Sequence, residues 1–312
     1  MRYWIGFDIG GTKIAAHLVD EMNQVKWEAH VPVVKGDGLL PAIFELVDDA
    51  LTYIEGDGDL LEGIGLGIPG KIVRETGEIH LATNLNIESP LAIGAPLKER
   101  YDTAVALEND VRLGAFGVQN LHGLNDLAYI SIGTGLAAGF ILNGELYRGQ
   151  SGLAGEIGHI AEAYNGRSMI LENIVSGPGL VQEGLAANCQ VASAADLFVL
   201  AESGSAPAEK VLQNMFDHLA RAIQWIALTF DLEKIILGGG VTHAGPYFET
   251  GLRQAVAQLR KQSKITNLLL NDDKLMILPT SANVGLWGAT YLVKNSTRPS
   301  RRKGERLTST SI

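Results

Sequence analysis

The sequence has 312 residues, of which 46% are hydrophobic and 19% are charged, and its formal net charge is −10. This composition is typical of a soluble globular protein with a sizeable core, and the length predicts about two domains. A diffuse negative charge repels nucleic-acid phosphates and anionic membranes, so we expect neither as the main partner. The single cysteine, Cys189, cannot form an internal disulfide. Because the chain also reaches Asp8 too soon for a signal peptide, we expect a cytoplasmic protein.

Strand and helix patterns alternate along the chain, which predicts an α/β fold. Strands are indicated by short apolar runs, and helices by apolar residues that recur every three or four positions. The predicted elements are, in chain order, a strand–turn–strand unit over 3–19, a helix over 41–55, strands over 63–68 and 104–107, a helix over 111–120, a hairpin over 127–142, a helix over 208–230, a strand over 234–237, a helix over 246–262, a strand over 275–278 and a helix over 284–293. Residues 295–312 are rich in Ser, Thr, Arg and Lys, so we expect them to be disordered.

The strand–turn–strand unit at the start of the chain recurs in its middle. Residues 5–16 resemble residues 129–138, and in both units a turn of Gly and Thr joins two apolar strands. We interpret the repeat as two related α/β lobes, each of which begins with a hairpin whose tip faces the cleft between them. The predicted lobes are 1–115, completed by the helix at about 284–294, and a larger lobe over 116–283.

The tips of the two hairpins have the composition of phosphate-binding turns. Glycines allow backbone N–H groups to approach phosphate oxygens closely, and Thr12 and Lys13 add a hydroxyl donor and a positive charge. Asp8, at the end of its strand, can hold Mg²⁺ directly or through water. One such turn could equally be an ordinary hairpin, but two of the same kind are far more specific. The residues concerned are Asp8, Gly10, Gly11, Thr12, Lys13, Gly133, Thr134 and Gly135.

Two other glycine-rich nucleotide motifs are not supported. No Gly-x-x-x-x-Gly-Lys-Ser/Thr phosphate loop occurs in the sequence. Residues 65–70 match the dinucleotide fingerprint Gly-x-Gly-x-x-Gly by letter. Residues 71–80 show no helical period, however, so no predicted helix follows to receive a pyrophosphate.

Two further segments carry polar side chains suited to a substrate with hydroxyl groups. Asp110 lies where a strand ends and a helix begins, and phosphoryl transfer needs a carboxylate to orient and deprotonate the attacking hydroxyl. An Asp in this position could instead serve only as the helix N-cap. Glu156 and His159 lie three positions apart between glycines. This pair could bind vicinal sugar hydroxyls, hold a metal ion, or form a structural turn.

In order and spacing, these motifs resemble those of the ROK family of bacterial sugar kinases and repressors. The resemblance covers nearly the whole of residues 3–293. It implies an α/β, two-lobed, actin-like ATPase fold of the ribonuclease H type, with the active site in the cleft between the lobes. It rests on the segments 8–13, 68–70, 83–86, 108–110, 132–135, 155–159, 171–173, 176–178 and 237–240.

The resemblance also implies a cytoplasmic sugar kinase that uses ATP and Mg²⁺. Asp110 is similar in position to the general base that takes a proton from a hexose hydroxyl, usually the one on C6. The implied sugar ligands are Gly70, Asn84, Asn109, Asp110, Glu156, His159 and Glu172. The implied lining of the adenosine site is Gly238, Gly239 and Gly240. Family members are commonly dimers or tetramers, so we expect a homodimer.

The sequence departs from the family pattern in one important place. Many members carry a Cys-x-Cys-x₄-Cys zinc loop between the Gly-Glu-x-Gly-His turn and the later Glu, whereas residues 161–171 contain no cysteine. We therefore expect no structural zinc, since closed zinc sites use four ligands that are mostly thiolates and imidazoles. Apolar packing would hold the loop instead, and the candidates are Ile160, Met169, Ile170, Leu171, Ile174 and Val175.

These motifs leave the identity of the sugar open. Glucose is the leading expectation, and the alternatives are mannose, fructose, allose, N-acetylmannosamine and N-acetylglucosamine; polyphosphate is an alternative donor to ATP. A different class of function is a sugar-sensing transcriptional regulator of the same family. Such members carry an N-terminal helix-turn-helix, whereas this chain starts at its first strand and is acidic, so we expect no nucleic-acid partner.

Overall fold

Two five-stranded sheets form the framework of the computed structural model, which describes residues 1–54, 56, 58–73, 75–164 and 166–297. The strands are β1 (Arg2–Ile9), β2 (Lys13–Asp20), β3 (Val25–Pro32), β4 (Leu60–Gly67), β5 (Lys71–Val73), β6 (Glu78–His80), β7 (Leu91–Ala92), β8 (Ala104–Glu108), β9 (Leu127–Ile132), β10 (Leu136–Leu142), β11 (Glu145–Tyr147), β12 (Ala161–Tyr164), β13 (Arg167–Ile170), β14 (Lys234–Gly238) and β15 (Leu275–Ile277). The α-helices are α1 (Leu39–Leu51), α2 (Gly94–Tyr101), α3 (Asp110–His122), α4 (Glu172–Val175), α5 (Gly177–Ala186), α6 (Ala194–Glu202), α7 (Ala206–Phe230), α8 (Pro246–Gln262), α9 (Lys264–Leu269) and α10 (Val284–Thr297).

The two large sheets share one topology. The first has the strand order β3-β2-β1-β4-β8, and the second has the order β11-β10-β9-β14-β15. In the first sheet β1 pairs antiparallel with β2 and parallel with β4. In the second sheet β9 pairs in the same way with β10 and β14. The sequence repeat between residues 5–16 and 129–138 is therefore a repeat of structure.

The predicted strands and helices are present, with small shifts at their ends. The helix predicted over 41–55 is α1, which ends earlier, at Leu51. The last helix continues to Thr297, so the expectation of disorder was wrong for residues 295–297. There the hydroxyls of Ser296 and Thr297 donate to the Val293 carbonyl oxygen and satisfy part of the helix end. The rest of that predicted tail, 298–312, lies outside the described residues.

None of the helices in the described ranges combines the length and hydrophobicity that crossing a bilayer requires.

The last helix, α10, packs against both the first sheet and α3. The two helices approach closely because glycines lie at their contact. A Cβ added to Gly117 would lie 2.0 Å from the Val284 carbonyl oxygen, and one added to Gly288 would lie 2.0 Å from the Leu113 carbonyl oxygen. Both distances are far below van der Waals contact, so a side chain at either position would force the helices apart.

Substitution of Gly288 by Ala tests this contact. Alanine is the better helix former by about 1 kcal/mol, so propensity alone predicts a more stable protein. Because the added methyl group would overlap backbone atoms, we expect instead a loss of about 1–3 kcal/mol and a lower Tm in thermal unfolding. The matched control is Asn120→Ala on the exposed face of α3, which should leave Tm nearly unchanged. A rise in Tm for Gly288→Ala would contradict the close packing.

Candidate active site

A cleft of about 800 Å³ lies where strands of both sheets end, between the β1–β2 turn and the β9–β10 turn. It contains predicted residues from both halves of the chain, because the two hairpin tips and the ends of β1 and β14 meet there. The predicted site residues that line it are Asp8, Gly10, Gly11, Thr12, Lys13, Asn84, Asp110, Gly133, Thr134, Gly238, Gly239 and Gly240.

Asp110 is the first residue of α3, but it is not the helix cap. The side-chain Oδ1 of Asn109 accepts hydrogen bonds from the N–H groups of Val111 and Arg112, at 3.1 and 3.2 Å. The alternative that Asp110 serves only as an N-cap is therefore wrong. Since its Oδ1 belongs to the cap, Asn109 has its amide nitrogen as the group with which it could contact a ligand.

The two carboxyl groups of the cleft have raised pKa values. Burial, reinforced by the nearby carboxyl of Asp8, raises the pKa of Asp110 to about 7. Burial also raises the pKa of Asp8 to about 6, although the charge of Lys13 acts in the opposite direction. Both residues are only partly exposed, on the side of the cleft. A base with a pKa near 7 suits proton transfer at neutral pH. A large fraction of it is ionised, and the ionised form is basic enough to accept a proton from a hydroxyl group.

Each glycine turn is closed by its own backbone. The Gly10 N–H donates to the Lys13 carbonyl oxygen at 2.9 Å, and the Gly133 N–H donates to the Gly135 carbonyl oxygen at 2.9 Å. A Cβ on Gly133 would meet no atom within 4 Å, so the second tip is open. The N–H of Gly177, the first residue of α5, donates to the Gly133 carbonyl oxygen at 2.8 Å. Two hairpin tips whose backbone is not covered by side chains suit the binding of phosphate oxygens by backbone N–H groups.

Most of the residues predicted to contact the sugar are not among the residues that line the cleft. Gly70 follows Pro69, which lines the cleft, and has a φ of 102°. Glu156 and His159 belong to a turn whose residues 157–159 form one turn of 3₁₀ helix. The predicted site residues outside the lining are Gly70, Asn109, Gly135, Glu156, His159 and Glu172.

Glu172 has a structural contact that the sequence did not indicate. Its Oε2 accepts a hydrogen bond from the Leu136 N–H at 2.9 Å. A Cβ on Gly135 would lie 2.7 Å from that oxygen, and one on Gly158 would lie 3.3 Å from it. The two glycines thus make room for the carboxylate, which ties the start of α4 to the end of the second glycine turn.

The segment without cysteines forms the hairpin β12–β13. Glu162 Oε2 lies 3.2 Å from His218 Nδ1 and 3.7 Å from the guanidinium of Arg221, so an ion pair with Arg221 also links the hairpin to α7. In the described part of the chain, no group of three or more His, Cys, Asp or Glu side chains is placed to hold a metal ion. Of the expected apolar contacts, Ile170 is half-buried. Those that belong to or pack on the hydrophobic core around the second large sheet are Ile160, Met169, Leu171, Ile174 and Val175.

Some residues of the cleft wall were not predicted from the sequence. Ser193, Ala194 and Phe198 of the α6 region line it, as do Val241 and Ala244 after the run Gly238–Gly240. The last two could have been found from their place next to that run. Phe198 has no such signal, because it comes from a helix distant in sequence. Together these side chains offer a mostly apolar surface suited to a flat ring.

Substitution of Asp110 by Asn tests the raised pKa without reference to any activity. The folded state binds this proton more tightly than the unfolded chain, so wild-type stability falls as the pH rises from about 4 to about 7. Asparagine cannot ionise, and the variant should be more stable at pH 8 by about 1–2 kcal/mol, or about 2–6 °C in Tm, with a smaller gain at pH 5. Glu45→Gln, which removes an exposed carboxyl on α1, is the control. If the difference in stability between Asp110→Asn and wild type were the same at pH 5 and pH 8, the raised pKa would be contradicted.

Comparison with known proteins identifies the family. The ROK family model matches residues 4–296. A glucokinase of Halalkalibacterium halodurans is 31% identical over 78% of this chain and 82% of that protein. A xylose repressor of Caldicellulosiruptor bescii is 25% identical over 87% of this chain and 74% of that protein. The ROK hexokinase structure from Thermus thermophilus has a TM-score of 0.77 and 26% identity, over 94% of this chain and 98% of that chain. The chain therefore belongs to the ROK family and has the two-lobed, actin-like ATPase fold.

Proposed function

We propose that this protein is a sugar kinase that transfers the γ-phosphoryl group of ATP to a hexose hydroxyl, with Asp110 as the general base. The observation that carries the proposal is the position of Asp110, whose partly buried carboxyl lines the same cleft as both glycine turns. A kinase needs a base and phosphate-binding turns in one cleft, whereas a protein that only binds sugar needs neither. Similarity to a glucokinase and to a hexokinase supports the same class of reaction.

In the proposed reaction, the ionised carboxylate of Asp110 accepts the proton of the hydroxyl group as the hydroxyl oxygen attacks the γ-phosphorus. The bond between that phosphorus and the β–γ bridging oxygen breaks in line, and ADP leaves without a covalent enzyme intermediate. Backbone N–H groups of the two turns, with Thr12 and Lys13, would hold the phosphate oxygens. Gly238 to Gly240, beside the apolar wall at Phe198, would line the adenosine site.

The carboxylate of Asp8 fits a Mg²⁺ ion that accompanies the nucleotide. Burial raises the pKa of Asp8 against the opposing charge of Lys13, so a further cation beside it would stabilise the ionised form. Magnesium sites of this kind use one or two carboxylates, several waters and the phosphates of the substrate. Asp8 would hold the ion directly or through water. The chemistry that the ion supplies is neutralisation of charge on the phosphates.

The sugar is proposed to lie beside Asp110, in contact with the segments that adjoin the cleft. Glucose is the proposed substrate, because a relative at 31% identity is a glucokinase. Mannose, fructose, allose and the N-acetylhexosamines are the alternatives. The proposed sugar ligands are Gly70, Asn84, Asn109, Asp110, Glu156, His159 and Glu172.

A sugar-sensing regulator is the second candidate function, because a xylose repressor matches 87% of this chain. Sugar binding is common to both candidates, whereas phosphoryl transfer belongs to the kinase alone. The net charge of −10 opposes binding to a phosphate backbone. A sugar-dependent gel shift on DNA, without release of ADP, would favour the regulator.

The proposed function is tested by ADP release over a panel of hexoses and N-acetylhexosamines. The wild-type protein should phosphorylate at least one of them, and Asp110→Asn should lower kcat by about 10²–10⁴-fold while sugar binding, measured by calorimetry, persists. Because only the ionised carboxylate accepts a proton, wild-type kcat/KM of the free enzyme should fall below a pH of about 7.

The matched control for this experiment is Asp102→Asn. Asp102 is an exposed residue with a φ of 46°, a conformation that Asn also adopts readily, and we expect normal turnover. A kcat of Asp110→Asn within about threefold of wild type would remove Asp110 from the role of base.

We also propose that the hairpin β12–β13 is stable without zinc. The support is its apolar base and the contact of Glu162 with His218 and Arg221. Protein purified without a histidine tag should contain far less than one zinc per chain by elemental analysis. A zinc chelator, with Mg²⁺ in excess, should change neither Tm nor turnover. Stoichiometric zinc, or inactivation by the chelator, would refute this proposal.

A further inference from the structure

Next to the proposed base, a buried carboxylate is held by two arginines. Glu108, the last residue of β8, is only 1% exposed. Its Oε1 accepts hydrogen bonds from Arg112 Nε at 2.8 Å and from the Asn109 N–H at 3.0 Å. Its Oε2 accepts a hydrogen bond from Arg148 Nε at 2.5 Å. Both oxygens of Glu108 are therefore fixed, two positions before Asp110.

The two arginines come from different parts of the fold. Arg112 belongs to the first turn of α3 and is 4% exposed. Arg148 follows β11 at the edge of the second sheet, and 27% of its side chain is exposed. Its Nη1 also donates to the Leu146 carbonyl oxygen at 3.2 Å. Glu108 thus joins the end of a strand in the first sheet to the edge of the second sheet.

Arg148 also begins the loop that leads to the proposed sugar ligands. The Ala154 N–H donates to the Arg148 carbonyl oxygen at 3.1 Å and closes this loop. The Gly155 carbonyl oxygen then accepts a hydrogen bond from Ala138 of β10 at 2.8 Å, and Glu156 follows directly. The position of Arg148 therefore fixes the start of the segment that carries Glu156.

We propose that Glu108 and Arg148 form a clamp that sets the distance between the general base and the sugar. This inference rests on the proposed function. Glu108 fixes the start of α3, where Asp110 is the first residue, and Arg148 fixes the loop before Glu156. Neither clamp residue lines the cleft, so both are positioning residues. Their effect is on geometry, and a displacement of about 1 Å in such a site can lower the rate about 100-fold.

The charges of the clamp are compatible with a stable fold. Burial acts to raise the pKa of Glu108, but Arg112 and Arg148 outweigh it and hold the pKa below the ordinary value, so this carboxylate stays ionised. Replacing Glu108 would leave two guanidinium groups without their carboxylate, one of them buried, and would strongly destabilise the protein. Arg148 is the better residue to change, because it is partly exposed and Arg112 would still pair with Glu108.

Substitution of Arg148 by Met tests the clamp. Methionine keeps much of the length of the side chain but removes the charge and the donors. For the preferred sugar, we expect kcat to fall about 10–100-fold and the sugar KM to rise, while the ATP KM stays within about twofold of wild type. Arg148→Lys keeps the charge without the planar fork of donors, and its kcat should lie between those of Arg148→Met and wild type.

The matched control is Arg253→Met, which removes a partly exposed arginine paired with Glu249 on α8 at 2.8 Å. Tm is measured for every variant. If the clamp were only structural, Arg148→Met would lower Tm and leave kcat and the sugar KM of the folded enzyme unchanged, which would overturn the inference. A rise in the ATP KM of Arg148→Met as large as the rise in its sugar KM would also overturn the inference.

Two further outcomes separate the clamp from the proposed function. Release of ADP by the wild-type enzyme, with no change in Arg148→Met, overturns the clamp alone. Failure of the wild-type protein to release ADP with any sugar overturns the proposed function together with the clamp that depends on it. If Arg148→Met does not fold, Arg148→Lys decides, because a kcat equal to that of wild type would overturn the clamp.

Discussion

The packing of α10 against α3 and the first sheet is the constraint on which the cleft depends. Both helices start at the cleft, and Gly117 and Gly288 bring them so close that neither can shift without the other. A Cβ on Gly285 would lie 2.3 Å from Asp8 Oδ2, so the first turn of α10 also encloses that carboxylate. The burial that raises the pKa values of Asp8 and Asp110 is therefore a product of helix packing.

Burial acts to raise the pKa of two carboxyl groups near the start of α3, yet the two pKa values move in opposite directions. Glu108 is enclosed with Arg112 and Arg148, and these charges hold its pKa below the ordinary value in spite of burial. At Asp110, burial dominates, the neighbouring charge of Asp8 adds to it, and Arg112 only partly opposes them. The first carboxylate is thus fixed as an anion that holds structure, while the second can gain and lose a proton near neutral pH.

Much of the fold and of the cleft could be predicted, because short sequence patterns mark them. Asp8 lies at the end of a strand, the glycine turns follow strands, and the repeat indicates two similar sheets. Contacts between distant residues could not be read from the sequence. Arg148 and Glu108 are 40 positions apart, and the bond from Leu136 to Glu172 needs the assembled fold. The identity of the α3 cap could not be predicted either, because Asn and Asp are both good N-cap residues. The structure shows that Asn109, and not Asp110, caps the helix.

The position of α10 at the end of the described chain determines the order in which the two halves of the protein can fold. The first sheet is synthesised early, yet the helix that packs on it is the last element of the described chain. Until that helix leaves the ribosome, His17 lacks its partner Thr290, and Trp4 and Val19 lack Val293, so this side of the sheet stays exposed while the second half is made. The second half can bury its own core first. The N-terminal half therefore completes its folding last, and the same long-range docking of α10 also assembles the cleft.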